Sequence, residues 1–149
     1  MSTEQVDILV IGAGPSGAVA AAIIEKQGLK VKVVEREVFP RFVIGESLIP
    51  LVMEALDEAG FLPTLYEQGY QKKFGARFIK NGKVCEFDFA EQYTKGWTWT
   101  WQLPRADFDK CLTDQLIERG IDIAFGTTVT GIEFHGTDSI TTVMDREGN

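Results

Sequence analysis

Three glycines and one acid are the residues whose types and spacing speak first for chemistry. Gly12-Ala13-Gly14-Pro15-Ser16-Gly17 follows the pattern GxGxxG, which is weak by itself because short glycine patterns arise by chance. Its setting makes it informative. It leaves an apolar run, Val6 to Ile11, and opens a stretch of small residues from Ala18 onward. In that setting Gly12 permits the tight turn, Gly14 lets backbone come close to a diphosphate, and Gly17 allows a helix to sit against a strand. The N–H groups at the helix start and the positive end of its dipole then face the phosphates. Pro15 suits the first helical turn, where a missing N–H costs little. Glu35 ends the next apolar strand, about 20 residues on, where a carboxylate accepts hydrogen bonds from a ribose 2′-OH and repels a 2′-phosphate. Arg36 follows and is counted with the candidate contacts, although on an extended chain it faces the other way. The chemistry expected is recognition of the ADP half of a dinucleotide.

These residues need elements to hold them. Val6 to Ile11 is nearly continuous in hydrophobicity, as a parallel strand covered on both faces should be. Ala18 to Gln27 reads as a helix ended by Gly28, and Lys30 to Glu35 as a second strand, which completes one βαβ unit. Arg36 to Ser47 reads as an ordered loop, and Leu48 to Gly60 as a helix from its three- and four-residue apolar steps. Sequence rich in β signals comes next. Gly75 to Ile79 and Lys83 to Phe89 flank Asn81-Gly82, the signature of a hairpin. Trp97 to Leu103 alternates aromatic and polar residues and is expected to be a third strand of that hairpin's sheet. Asp107 to Arg119 reads as a helix, and Ile121 to Phe125, Thr128 to His135 and Ser139 to Asp145 as short strands.

Composition bounds the partners. Fifteen Lys and Arg against 22 Asp and Glu give a net charge of -7 over 149 residues. That argues against a nucleic-acid backbone and against a polybasic membrane anchor. The glycines interrupt the apolar run Ile8 to Ile24, and Glu4 and Asp7 stand where a signal peptide carries cations, so no integral membrane segment is expected. Cys85 and Cys111 have no metal-like spacing and read as reduced thiols of a cytoplasmic protein. No metal site is expected, and His135 reads as an exposed strand residue.

The choice of cofactor comes from a resemblance. Pro40 to Pro50 (PRFVIGESLIP) resembles the segment after the second strand in FAD-dependent halogenases, geranylgeranyl-reductase-like proteins and related monooxygenases. The resemblance implies an α/β fold: a Rossmann-like parallel-sheet FAD-binding domain of glutathione-reductase type, with a β-rich insertion. It implies FAD as cofactor, with Gly45, Glu46 and Ser47 beside the flavin and Arg41 along the cofactor. Trp101 to Leu112 (WQLPRADFDKCL) is similar to the family's strand-to-helix segment, in which Arg105 would contact FAD. Val129 is included among the expected contacts. Family members are much longer, so residues 1–149 would be the N-terminal portion of an FAD-binding domain, with 62–104 as a β-rich, substrate-side insertion.

Gly69 to Phe78 (GYQKKFGARF) is similar to the halogenases in particular, and Lys73 matches their catalytic lysine. The implied chemistry is that reduced FAD activates O₂, a halide is oxidised to hypohalous acid, and a lysine ammonium aims the oxidant at an electron-rich ring. A point charge on a flexible stem suits that role. The bland reading, a solvated Lys72-Lys73 pair, stays open. Trp99 to Pro104 imitates a motif of tryptophan halogenases, but there it lies far later in the chain, so it is not counted. The expected activity is FAD-dependent oxidation, halogenation or reduction of a small organic substrate, aromatic ones included, with electrons from NAD(P)H or a flavin reductase. The alternatives are a geranylgeranyl-reductase-like dehydrogenase and a non-catalytic dinucleotide-binding module.

Overall fold

A computed structural model describes residues 3–149. The chain divides into two units, 1–42 with 106–149, and 43–105.

The first unit is built on a parallel sheet. β1 (Ile8–Ile11), β2 (Val31–Glu35) and β7 (Asp122–Phe125) lie in the order β1-β2-β7. α1 (Pro15–Lys26) is the crossover between β1 and β2, and its contacts fall on both strands. Ala18, Ala21 and Ala22 are fully buried, which is why a helix of small residues is needed here. Val33 and Val34 form the middle of the core, as a strand with a neighbour on each side should. Among the described residues β1 pairs with β2 alone, and its Ile8 and Ile11 are exposed, so the cover expected on both faces is not complete in this portion of the chain.

The same unit carries α4 (Arg105–Glu118, whose first residue closes the other unit) and an antiparallel hairpin, β8 (Thr128–His135) with β9 (Asp138–Met144). Phe108, Leu112 and Leu116 are the buried stripe of α4. His135 ends β8 exposed, 3.6 Å from the Glu133 carboxylate.

In the second unit α2 spans Leu51–Glu58, shorter than the helix expected from Leu48, because Pro50 sits at its N-cap and fixes the start. A short α3 (Leu62–Glu67) opens the stretch read as β-rich, and buries Leu62 and Leu65. β4 (Gly75–Lys80) and β5 (Lys83–Asp88) form the hairpin expected, with Asn81 and Gly82 both at positive φ as an Asn-Gly turn requires. The third strand of that hairpin is a correction. Only Thr100–Gln102 is extended (β6), and it pairs with β3 (Gln71–Lys73), not with the hairpin. Trp101 is nearly fully buried and ties β6 to the core through edge-on contacts with Tyr66, Tyr70 and Trp99. That packing anchors the strand where it lies. No helix among the described residues is long and apolar enough to cross a membrane.

Candidate functional site

The glycine-rich turn divides its labour in a way that can be measured. Gly12 has φ +99°, a conformation that strains any other residue. Gly17 has no such need, but a Cβ there would fall 1.9 Å from the Gly12 carbonyl oxygen, so its reason is close packing. Gly14 has neither reason. It is the N-cap of α1 at φ −65° and ψ 178°, and a Cβ on it would meet only Arg41 Nη2, at 3.6 Å. What Gly14 leaves is open space at a helix start, with no side-chain cap on the helix and no acid in its first turn. α1 begins at Pro15, three residues before the start expected from the alanine run, so Pro15, Ser16 and Gly17 form its first turn.

Glu35 is buried, 6 % exposed, and braces this turn. Its Oε2 accepts from the Ala13 N–H at 2.8 Å, and its Oε1 from the Glu37 N–H at 2.9 Å. One bond to each oxygen leaves a carboxylate with further lone pairs. Arg36 is exposed and faces Glu37, at 3.8 Å. Val129 is half-buried in β8, paired with Val143.

Arg41 supplies the cation. Its Nη1 donates to Asp109 Oδ2 at 2.8 Å, and its guanidinium lies 4.3 Å from the centre of the Phe39 ring. Asp109 is 1 % exposed, so the pair is held away from bulk water. Sequence reasoning missed Asp109. The signal was there: a carboxylate between Phe108 and Leu112, inside the buried part of a helix, needs a cation partner.

The second unit gathers the remaining candidates. Glu46 O accepts from Leu103 N and Leu48 N donates to Trp101 O, at 2.9 and 3.1 Å, so the segment 46–48 lies along β6 with Ser47 opposite Gln102. Gly45, at φ +114°, carries the Arg105 guanidinium against it: Nη1 donates to Gly45 O at 3.5 Å and stands 3.2 Å from where a Cβ would be. Glu46 is exposed. Lys73 Nζ donates to Ser47 Oγ at 2.5 Å and to Leu48 O at 3.3 Å, and lies 5.1 Å from the Phe89 ring centre. Lys72 points elsewhere, over Trp99 at 4.4 Å. The pair is therefore split between two environments. An open hollow of about 340 Å³ is lined by Glu54, Gly96, Trp97, Thr98 and Trp99.

These groups can bind a diphosphate at an amide-lined helix start with an adjacent guanidinium, and can hold an ammonium at a fixed place beside a polar loop. The dinucleotide FAD fits the first of these, since Gly14 keeps clear the space that a side chain would fill.

The sequence model of the FAD binding domain family matches residues 5–149. The tryptophan 2-halogenase of Chondromyces crocatus is 32% identical over 129 residues, which cover 87% of this chain and 24% of that protein. A pyrrole-2-carbonyl carrier-protein chlorinase of Pseudomonas fluorescens is 30% identical, over 90% of this chain and 34% of its own length. Among solved structures, a flavoprotein/dehydrogenase from Cytophaga hutchinsonii superposes with a TM-score of 0.92 at 55% identity, over 98% of this chain and 36% of that one. A myxobacterial chondrochloren halogenase superposes at 0.86 with 28% identity, over 99% and 35%. The chain thus spans about a quarter to a third of the relatives it matches.

Proposed function

This chain belongs to the FAD binding domain family, and from that premise we propose that it forms the cofactor-holding portion of an FAD-dependent oxidoreductase acting on a small organic substrate. The observation that carries the proposal is the open space beside Gly14 with Arg41 at its edge. Neither backbone strain nor packing demands a glycine there, so a close-lying ligand supplies the reason. In this reading the N–H groups of the first turn of α1 take the diphosphate and Arg41, oriented by Asp109, adds charge. Glu35 fixes the turn and offers its spare lone pairs to the ribose. Gly45, Glu46, Ser47 and Arg105 are assigned to the flavin side, and Arg36 and Val129 to the periphery of the cofactor. The fold is read as the glutathione-reductase type, with 62–104 as an insertion that begins the substrate side.

FAD bound there supplies two-electron redox chemistry. Within that class we favour halogenation of an electron-rich ring, because the Lys73 ammonium is held by Ser47 and Leu48 of a polar loop. Its ammonium holds a proton at a fixed point, from which it can hydrogen-bond an oxidant and aim it. The tryptophan-lined hollow is an aromatic surface of the kind such a substrate side would use. Electrons would come from NAD(P)H or a partner flavin reductase, and the free thiols Cys85 and Cys111 fit a cytoplasmic setting. A second reading, an FAD-dependent dehydrogenase or reductase, is favoured by the 55% identity to a protein described as a flavoprotein/dehydrogenase.

The test uses the full-length gene product, reduced in the presence of O₂, bromide or chloride, and a phenol or pyrrole. Halogenated product that disappears in Lys73→Met, with FAD still bound, is the expected result. Turnover independent of halide, and unchanged in Lys73→Met, would favour the second reading.

A further inference from the structure

Given the role proposed for Lys73, on which this inference rests, its neighbours in the sheet bear on how the ammonium is held. The segment 46–48, β6 and β3 lie side by side with β6 in the middle: Lys73 faces Thr100, Gln71 faces Gln102, and Ser47 faces Gln102 from the other edge. Residues facing one another in an antiparallel ladder share a side of the sheet, as do alternate residues along a strand. Ser47, Lys73 and Thr100 therefore stand on one side, and Lys72 with Trp101 on the other. To reach Ser47 the Lys73 side chain has to cross β6 on the side where Thr100 stands.

Thr100 is 0% exposed, and its Oγ1 has no hydrogen-bond partner among the described residues. A buried hydroxyl without a partner costs stability, and valine would fill the same space without that cost. A site that keeps such a group against the interest of folding is a candidate for function. Lys73 faces Thr100 in the ladder, and its ammonium has three donors, of which Ser47 Oγ and Leu48 O take two.

We propose that Ser47 and Thr100 are positioning residues for Lys73, Ser47 seating the ammonium through Oγ and Thr100 offering Oγ1 as a second seat on the same side of the sheet. The ammonium then has an exposed seat at Ser47 and a buried one at Thr100, and its remaining donor stays free for a reacting group. No covalent step is involved. Ser47 thereby acquires a role toward the lysine as well as toward the cofactor.

The experiment compares Ser47→Ala and Thr100→Val with the wild type and with Lys73→Met, all in the full-length gene product. Competitive acetylation, read site by site by mass spectrometry, measures Lys73 against Lys72 as an internal reference. Ser47→Ala should raise the Lys73:Lys72 ratio about tenfold or more, the worth of one hydrogen bond to a charged group. Thr100→Val should melt at the wild-type temperature or above, yet lose about tenfold or more in halide-dependent kcat with KM little changed. A labelling ratio that stays at the wild-type value in both variants would overturn the proposal. So would wild-type kcat in Thr100→Val. Turnover retained by Lys73→Met would instead remove the catalytic reading, and the labelling ratio alone would then decide whether the two hydroxyls seat the lysine.

Discussion

Replacing Gly14 by alanine separates folding from binding. At φ −65° and ψ 178° alanine is unstrained, and its Cβ would stand 3.6 Å from Arg41 Nη2, an ordinary contact. The weaker N-cap costs up to about 1 kcal/mol, and the stiffer unfolded chain returns about 0.4–1 kcal/mol. The variant should therefore unfold within about 1 kcal/mol of the wild type. Gly17→Ala is the control that should fail. Its Cβ would lie 1.9 Å from the Gly12 carbonyl oxygen and 3.3 Å from Val10 Cγ1, so α1 has to move off the sheet. Overpacking of that kind costs about 1–3 kcal/mol, and the upper end applies where the clash is with backbone. For binding the order reverses in diagnostic value. A methyl on Gly14 occupies the space assigned to the diphosphate, and displacing that group should cost at least about 1.4 kcal/mol, a tenfold rise in Kd. Urea midpoints give the first quantity and titration with FAD, followed by flavin fluorescence, gives the second. Gly14→Ala that folds normally and binds FAD with wild-type affinity would refute the assignment of that space.

Three further outcomes are expected from particular contacts. Arg41→Ala should cost about 3 kcal/mol in a urea titration, because it breaks a pair with Asp109, which is 1 % exposed; Arg41→Met with Asp109→Leu should recover most of that stability but not the FAD affinity. Lys32 hydrogen-bonds Asp122 and Glu4, in that order of effect, and both hold its ammonium above the usual range, while Lys32 and then Lys30 hold Glu4 below its own. The Lys32 contribution is in full force below its unfolded pKa of about 10.4 and lost as pH rises through the higher folded value; that of Glu4 is present above about 4.3 and lost as pH falls through the lower folded value. The stability gap between wild type and Lys32→Met, small for contacts this exposed, should thus be widest between those limits, and a gap that ignores pH would contradict the assignment. Burial holds the Cys111 thiol above its usual range whereas Cys85 is exposed, so iodoacetamide at pH 8 should label Cys85 first; equal rates in the native protein would count against the packing of α4.

Much of the first unit could be read from the chain because its signals are local. The glycine pattern, the alanine run and the valine-rich β2 sit together in sequence, and the physics that selects each residue acts within that stretch. What could not be read depends on partners far away in sequence. β1 is as apolar as a covered strand, yet among the described residues Ile8 and Ile11 are exposed, since cover comes from neighbouring elements that the strand's own sequence does not name. The pairing of β6 with β3, and not with the hairpin, reflects where Trp101 finds its aromatic neighbours. Arg41 could be singled out by resemblance, but its partner lies on α4, and only the folded chain joins Arg41 to Asp109. Nothing local distinguishes Lys73 from Lys72; only the folded chain brings Lys73 to Ser47 and lays Lys72 over Trp99. Pro50 was a local signal overlooked; it trims α2 as any proline at a helix start would.

The central claim is that the helix start at Gly14 holds the diphosphate of FAD, and the absorbance spectrum of the purified full-length gene product tests it most directly. The expected result is the two-band spectrum of oxidised flavin, with FAD itself released on denaturation and the bands diminished in Gly14→Ala. A colourless protein that cannot be reconstituted with FAD, or one whose flavin content is untouched by Gly14→Ala, would contradict it.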